Sequence, residues 1–209
     1  PPRSTLFPYT TLFRSAVNIT SDKCYKNNEW VWGYRENDPL GGNDPYSASK
    51  GASELITQSY LNSFFSEVQT ANIASARAGN VIGGGDWAEN RIVPDFFRAI
   101  QKNNSLFIRN PESTRPWQHV LDPLSGYLTL AMSLYKYGKE YSGGWNFGPI
   151  GDTNKSVREL IEQMIKSNGS GCYDALEKKA DFHEAGLLNL DISKAMHLLK
   201  WKQIGRAHV

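Results

Sequence analysis

The sequence has few cysteines, little excess of either charge and no long apolar run. Two cysteines among 209 residues provide neither a disulfide framework nor a cysteine-based metal centre. The 23 basic and 21 acidic residues leave a net charge of +2, too small to indicate binding to nucleic acid or to an anionic membrane. No apolar segment is long enough to cross a bilayer. These absences predict a soluble protein of the reducing cytoplasm, with no metal, nucleic-acid partner or membrane partner.

The residues that are present suit a folded core. Hydrophobic residues make up 40% of the chain and aromatic residues 12%. A chain of this length can bury a large core, as one domain or as two smaller ones. Such a composition excludes a disordered chain, which has too few apolar side chains to offset the entropy lost on folding.

The two ends of the sequence differ from its middle. Residues 1–15 contain no acidic residue and repeat Thr-Leu-Phe, and they lack the apolar stretch of a signal peptide. Residues 1–15 and 204–209 resemble translated sequencing adapters. We therefore expect native sequence from residue 16 to residue 203, the alternative being a natural basic arm and a polar tail.

Apolar periodicity predicts alternating strands and helices. The predicted strands are 16–20, 70–78, 106–108 and 144–147, and the predicted helices are 46–65, 92–101, 122–137, one that starts at a Ser156–Glu159 capping box and one within 188–199. This alternation is typical of an α/β fold with a parallel sheet, here followed by a smaller mixed lobe.

Two of these helices have an apolar stripe, which we expect to face the core. The stripe of helix 46–65 comprises Ala52, Leu55, Ile56, Ser59, Tyr60 and Phe64, and that of helix 122–137 comprises Leu124, Tyr127, Leu128, Ala131 and Leu134.

Polar residues end the first predicted strand and open the helix after it. The run 20–23 is Thr-Ser-Asp-Lys, and the carboxyl edge of an open α/β sheet, where it lies, is where ligands bind. Tyr46 and Lys50 are four residues apart at the helix start, so they share one face. A free phenol is a poor base at neutral pH, but a cation one turn away stabilises its phenolate. The pair alone is weak evidence, because an exposed tyrosine packed over a lysine stem has the same spacing.

The order of the motifs is more specific than any one of them. A strand ends in Thr-Ser-Asp, a loop leads to Asp-Pro-Tyr-Ser-x-Ser-Lys, and a further strand leads to Arg-x-Gly-Asn-Val-x-Gly. This arrangement resembles the extended short-chain dehydrogenase/reductases that act on nucleotide sugars, over the whole of 16–203. Within that family the chain is similar to the CDP-glucose 4,6-dehydratases, through SDKCYKNNEWVWGYREND, DPYSASKGASEL, ARAGNVIGGGDWAENRIVPD and STRPWQHVLDPLSGYL.

The resemblance implies a fold, a cofactor and a reaction. The fold is part of a doubly wound Rossmann-type parallel sheet, the later part of an NAD-binding domain, with a smaller substrate-binding lobe. The reaction is the conversion of CDP-glucose to CDP-4-keto-6-deoxyglucose by internal redox with NAD and loss of water. Such sugars feed the synthesis of lipopolysaccharide and other surface polysaccharides.

The same resemblance implies catalytic roles for five residues. Tyr46 takes the proton of the sugar 4-hydroxyl, Ser21 hydrogen-bonds that hydroxyl, and Lys50 holds the nicotinamide ribose. Asp22 protonates the departing 6-hydroxyl. Lys23 stands where related dTDP-glucose dehydratases carry glutamate, and it serves as the C5 base or its helper.

Further residues are expected to bind the cofactor and the substrate. The expected cofactor-binding residues are Thr20, Tyr46, Lys50 and Val81. The expected substrate-binding residues are Asn80, Arg91, Arg115 and Trp117, with the two arginines paired to the diphosphate.

The dinucleotide fingerprint of the family, Gly-x-Gly-x-x-Gly, opens no βαβ unit in this sequence. We therefore expect a chain truncated at its N-terminus that neither binds NAD nor turns over alone. We expect residues 16–148 to form the later part of the NAD-binding domain and residues 149–203 to form the substrate-binding lobe. Within the first of these, residues 83–119, approximately, are expected to extend into the substrate lobe.

Two other functions remain open at this stage. A nucleotide-sugar 4-epimerase or reductase of the same family shares the hydroxyl and Tyr-x-x-x-Lys parts, although it needs no acid at C6. A non-catalytic remnant without its cofactor half is the second. The full-length enzyme is expected to form a homodimer, for which helix 46–65 is the candidate face.

Overall fold

The computed structural model of the protein describes residues 14–65, 71–150, 154–175 and 187–203. Residues 1–13 and 204–209, which we predicted to be foreign, lie outside this part. The strands are β1 (Ser15–Ile19), β2 (Asn72–Ala78), β3 (Val81–Ile82), β4 (Leu106–Ile108), β5 (Thr114–Pro116), β6 (Gln118–His119), β7 (Gly143–Phe147), β8 (Asn154–Ser156) and β9 (Tyr173–Ala175). The helices are α1 (Pro45–Phe64), α2 (Ile92–Gln101), α3 (Leu121–Tyr137), α4 (Val157–Asn168) and α5 (Ser193–Leu198).

A parallel sheet of three strands, in the order β1-β2-β7, forms the centre of the fold. The predicted α/β class is therefore confirmed. Strand β1 starts at Ser15, which pairs with Asn72, so the regular fold begins one residue inside the segment that we predicted to be foreign.

The two faces of the sheet differ in polarity because side chains alternate along a strand. Ala74 and Ala76 of β2 lie in an apolar core with Leu130 and Leu134 of α3. Ser75 and Arg77, which alternate with them along the strand, point to the opposite face and contact α1. Helix α3 thus covers an apolar face, and α1 covers a polar one.

Helix α1 buries a different face from the one predicted. Its buried residues are Ser47, Gly51, Glu54 and Leu61. The predicted stripe is wrong, since all six of its members are exposed. The reason is the polar sheet face beneath the helix, which matches small and polar side chains.

Helix α3 is partly as predicted. Leu134 is buried, but Leu124 and Leu128 are exposed, and Gly126 and Leu130 face the sheet instead. At Gly126 the helix approaches β7 so closely that a Cβ would lie 2.4 Å from the Phe147 ring. The close contact between α3 and β7 therefore requires glycine at position 126.

A second core joins α2, β4, α4 and β9 around Phe96, Ile108 and Ile161. The capping box is confirmed: Ser156 Oγ accepts from the Glu159 amide at 3.1 Å, and the Glu159 carboxylate accepts from the Ser156 amide at 2.8 Å. Residues 154–175 thus pack away from the central sheet.

The last described segment, 187–203, returns to the central sheet. Ile192, Ala195, Leu199 and Trp201 belong to the same core as β2 and β7. Nearby, Tyr34 pairs with Leu190 and stacks on Tyr25 with ring centroids 5.1 Å apart. The long loop before α1 is anchored by these contacts. Among the helices that the structure describes, none is long and apolar enough to cross a membrane.

Candidate active site

A cavity of about 1130 Å³ lies at the carboxyl ends of β1 and β2, between the central sheet and the second core. Ligands of open α/β sheets bind at this edge. Nine of the eleven predicted site residues line the cavity: Ser21, Asp22, Lys23, Tyr46, Asn80, Val81, Arg91, Arg115 and Trp117.

A short 3-10 turn, Asp22–Cys24, follows β1 and carries the polar run into the cavity. Ser21 Oγ donates to Asp22 Oδ1 at 2.8 Å and accepts from the Lys23 amide at 3.2 Å. The hydroxyl and the carboxyl are therefore held as one hydrogen-bonded unit.

The Asp22 carboxyl is almost fully buried, with 4% of the residue exposed. Its Oδ2 lies against Gly79, where a Cβ would be only 3.2 Å away. Burial raises the pKa of Asp22, although the charges of Lys23 and Arg115 and the Ser21 hydrogen bond oppose the rise. A carboxyl in this environment holds a proton more readily than a free one, as a general acid requires.

We expect Asp22→Asn to stabilise the protein at neutral pH. Between the ordinary value of 3.8 and the raised native pKa, the folded state binds more protons than the unfolded state, so stability falls as pH rises through that window. Urea unfolding of both proteins from pH 4 to pH 7 checks this. The advantage of the variant should be largest at pH 7 and shrink toward pH 4, and an Asp22→Asn variant less stable than wild type at pH 7 contradicts it.

The start of α1 fixes the Tyr46 side chain at the cavity rim. Asp44 caps the helix, accepting from the Ser47 amide at 3.0 Å, and Pro45 is its first residue. Tyr46 is 56% exposed, and Lys50 Nζ lies 5.7 Å from the centroid of its ring. The phenol and the ammonium thus share one face of the helix, as the spacing predicts.

Lys23 lies between two carboxyl groups. Its charge lowers the pKa of Asp22, against the larger effect of burial. Hydrogen bonds from Ser47 lower the pKa of Asp44, and the charge of Lys23 adds to that effect. Lys23 therefore interacts with two carboxyl groups that line the cavity.

The two predicted site residues outside the cavity lining are Thr20 and Lys50. Lys50 still reaches Tyr46, as described above. Thr20 is buried, and its hydroxyl donates to Glu54 in the interior. Strand alternation explains this, because Thr20 points to the α1 face of the sheet. The structure does not bring the Thr20 side chain to the site.

Basic residues face the cavity on the side of the second core. Arg91 lies at the start of α2, and Arg115 lies in β5, where its Nη1 donates to the Thr114 carbonyl at 2.7 Å. The sequence argument missed Arg109, which also lines the cavity. No sequence pattern marks it, because residues 106–108 are all apolar. In the structure Leu106 and Ile108 are buried, whereas Phe107 and Arg109 are exposed, so alternation along β4 directs the arginine outward.

Asn80, Val81 and Trp117 lie where β3 and β6 pair. The Asn80 carbonyl accepts from the Gln118 amide at 3.1 Å, which fixes the backbone beside the cavity. Trp117 is 9% exposed, and its indole N–H donates to the Lys155 carbonyl at 3.2 Å. Its ring belongs to the second core and contributes an edge to the cavity.

The arrangement combines an exposed phenol, a buried carboxyl and several cations around one cavity. It suits proton transfer on a substrate that carries negative charge. Within the described ranges, no three histidine, cysteine, aspartate or glutamate side chains lie close enough to hold a metal ion.

Comparisons with known proteins identify relatives of this chain. Residues 11–142 match the model of the NAD dependent epimerase/dehydratase family. The chain is 52% identical over 192 residues to a CDP-glucose 4,6-dehydratase of Salmonella typhimurium strain LT2, covering 90% of this chain and 54% of that protein. It is 26% identical to a dTDP-glucose 4,6-dehydratase of an Actinoplanes strain, covering 69% of this chain and 42% of the relative. The chain thus spans about half the length of these relatives.

Solved structures share the fold at low sequence identity. A UDP-glucuronic acid 4-epimerase from Bacillus cereus, with UDP-glucuronic acid and NAD, has a TM-score of 0.76 at 20% identity and covers 91% of this chain and 57% of its own. A dTDP-glucose 4,6-dehydratase from Bacillus anthracis, with NAD, has a TM-score of 0.74 at 20% identity and covers 92% and 57%. Both have the same α/β arrangement.

Proposed function

We propose, since the chain belongs to the NAD-dependent epimerase/dehydratase family, that it is part of a nucleotide-sugar 4,6-dehydratase that converts CDP-glucose to CDP-4-keto-6-deoxyglucose. The observation that carries this proposal is one cavity lined by Ser21, Asp22 and Lys23 from the end of β1 and by Tyr46 from the start of α1. Acid chemistry at C6 distinguishes a dehydratase from a 4-epimerase, and the buried Asp22 supports the former.

The residues around Tyr46 fit the nicotinamide-ribose half of NAD. A phenol and an ammonium on one exposed helix face can hydrogen-bond a ribose diol, and the exposed Val81 offers an apolar contact for a planar ring. We propose that Tyr46, Lys50 and Val81 hold this half. When bound, NAD supplies reversible hydride acceptance from C4 and return to C6.

The first proton transfer belongs to Tyr46. We propose that the Tyr46 oxygen, with the Lys50 ammonium on the same helix face, takes the proton of the sugar 4-hydroxyl. Ser21 Oγ hydrogen-bonds the same hydroxyl and orients it. Because both residues line one cavity, a bound sugar can reach both at once.

The loss of water belongs to Asp22 and Lys23. Lys23 must lose its ammonium proton before it can accept the proton from C5, and Asp22 must gain a proton before it can give one to the 6-hydroxyl. We propose that Asp22 gives a proton to the departing 6-hydroxyl and that Lys23 takes, or helps another group to take, the C5 proton. Burial raises the pKa of Asp22, which suits its part as a proton donor.

The nucleotide is assigned to the basic side of the cavity. We propose that Arg91 and Arg115 pair with the diphosphate, with Asn80 and Trp117 beside them. On this basis the substrate lobe consists of 92–117 together with 154–175, because these segments form the second core. The segment 187–203 packs with the sheet and belongs to the cofactor domain.

The outward stripe of α1 supports a homodimer. Leu55, Ile56, Tyr60 and Phe64 are all exposed on this helix. We propose that a second copy covers them, since contiguous exposed apolar patches mark protein interfaces.

The two free cysteines, Cys24 and Cys172, accord with a location in the cytoplasm.

The decisive experiment uses the protein expressed from the full open reading frame that encodes this sequence. Incubated with NAD and CDP-glucose, it should yield a product that has lost one water, with a 4-keto group seen by NMR. The 209-residue chain serves as the comparison, and we expect calorimetry to find no tight NAD binding by it. Tight binding by that chain contradicts this expectation.

Other outcomes separate the alternative functions. A product of unchanged mass with inverted C4 indicates a 4-epimerase. A protein that binds neither NAD nor CDP-glucose is a non-catalytic remnant. Loss of water from dTDP-glucose in preference to CDP-glucose overturns the assigned nucleotide but not the reaction.

A further inference from the structure

One buried acidic residue near the site has no part in the chemistry proposed above. Glu54 of α1 is 3% exposed and faces the sheet. Its Oε2 accepts from Ser75 Oγ at 2.6 Å and from Arg77 Nη2 at 2.7 Å, both on β2. Its Oε1 accepts from Thr20 Oγ1 at the end of β1. A single carboxyl group therefore joins the helix to two strands.

The Glu54 group is held in its charged form. Burial raises the pKa of Glu54, but the hydrogen bond and charge of Arg77, with the hydroxyls of Ser75 and Thr20, outweigh burial and leave it below its ordinary value. A carboxylate accepts several hydrogen bonds at once, which allows three donors to share it.

The position of this contact in the chain gives it a role. Thr20 directly precedes Ser21 and Asp22, and Glu54 lies one helical turn beyond Lys50 and two beyond Tyr46. The Thr20–Glu54 bond thus connects the two segments that carry the reacting groups. A shift of β1 along α1 would change the separation of Ser21 and Asp22 from Tyr46.

We propose that Glu54 and Thr20 are positioning residues, whose hydrogen bond sets the distance between the Ser21–Asp22 turn and the Tyr46 phenol. The proposal rests on the proposed function. It assigns Thr20 to positioning the reacting groups, whereas the sequence analysis placed it among the cofactor-binding residues. Misplacement of reacting groups by about 1 Å can lower the rate of the chemical step by about 100-fold.

The chain offers a matched control on the same strand and helix. Asn18 Nδ2 donates to Thr57 Oγ1 at 2.8 Å, which also joins β1 to α1 but lies further from the cavity. Thr57→Val and Thr20→Val make the same chemical change, and each removes one hydrogen-bonding hydroxyl between these elements. Only the second removes it next to the reacting groups.

The test compares steady-state kinetics on CDP-glucose of Thr20→Val, Thr20→Ser and Thr57→Val in the full-length enzyme. We expect Thr20→Val to lower kcat about 10- to 100-fold with KM changed less than about twofold. Thr20→Ser, which keeps the hydroxyl, should stay within about threefold of wild type, and Thr57→Val should keep kcat while losing some thermal stability. Wild-type kcat in Thr20→Val, or an equal loss in Thr57→Val, overturns the proposal.

A second measurement does not depend on the reaction. The amides of Cys24 and Tyr25 close the turn by donating to the Ser21 and Asp22 carbonyls at 3.1 and 3.3 Å. In hydrogen exchange, we expect both amides to exchange about tenfold faster in Thr20→Val and unchanged in Thr57→Val. If wild type does not dehydrate CDP-glucose, the proposed function fails while this experiment still decides whether the bond holds the turn.

Discussion

Replacing Tyr46 with phenylalanine is expected to lower kcat by about 10²- to 10⁴-fold, the usual contribution of a general base. The phenylalanine ring keeps the packing of the exposed tyrosine and removes only the oxygen that takes the 4-hydroxyl proton. The folded state should be unaffected, because the ring stands at the cavity rim and is 56% exposed. Since the diphosphate is assigned to arginines on the other wall, KM for CDP-glucose should change little.

The measurement is single-turnover kinetics of the full-length enzyme on CDP-glucose with NAD. Tyr135→Phe is the matched control, because Tyr135 is also an exposed helical tyrosine, on α3, but lies away from the cavity. It should retain the wild-type rate. A Tyr46→Phe enzyme that keeps the full rate shows that another group takes the proton.

The largest stability effect is expected from Arg77→Met. Arg77 and Glu54 form an ion pair at 2.7 Å with side-chain exposures of 5% and 3%. Arg77 also donates to the Tyr25 hydroxyl at 2.6 Å and to the Glu36 carbonyl at 3.0 Å. Removing one partner of a buried pair leaves the other charge uncompensated, so the free energy of unfolding should fall by about 3–5 kcal/mol.

Urea unfolding at pH 7 checks this result against two further variants. Arg35→Met breaks the Arg35–Asp191 pair, whose arginine side chain is 73% exposed, and should cost at most about 1 kcal/mol. The double variant Glu54→Gln/Arg77→Met removes both charges and should recover part of the loss. If Arg35→Met and Arg77→Met lower the free energy of unfolding by the same amount, burial does not explain the contribution of the Arg77 pair.

The pair also predicts how the fold responds to acid. Because the pKa of Glu54 lies below its ordinary value of 4.5, the pair contributes stability above that pH and loses it as pH falls through the lowered pKa. Asp22 acts in the opposite sense, since its pKa is raised. At neutral pH, Asp22 therefore lowers the stability of the fold, whereas Glu54 raises it.

Local sequence patterns located the elements well. Helix 92–101 and the Ser156–Glu159 capping box are confirmed, and helix 46–65 is within one residue of α1. These features depend on periodicity, capping and turn residues within a few positions of one another. Nine of the eleven site residues named from the sequence line one cavity in the structure. Their chemical roles remain predictions.

The directions of side chains were harder to predict. In α1, an apolar stripe normally indicates the core face, but the polar face of the sheet selected Ser47, Gly51 and Glu54 instead. That selection depends on Ser75 and Arg77, which are more than twenty residues away from Glu54 in the chain. Sequence periodicity cannot contain this information.

The sequence by itself determined the five helices, four of the nine described strands, the family, and the position of Ser21 and Asp22 at the end of the first strand, because each depends on local composition or on contiguous motifs. Only the tertiary structure decided that Thr20 turns inward to Glu54, that Arg77 balances the charge of Glu54, and that Arg109 faces the cavity. These depend on which strands lie side by side and which face each helix covers. Such choices are settled by packing and by the need to pair every buried charge.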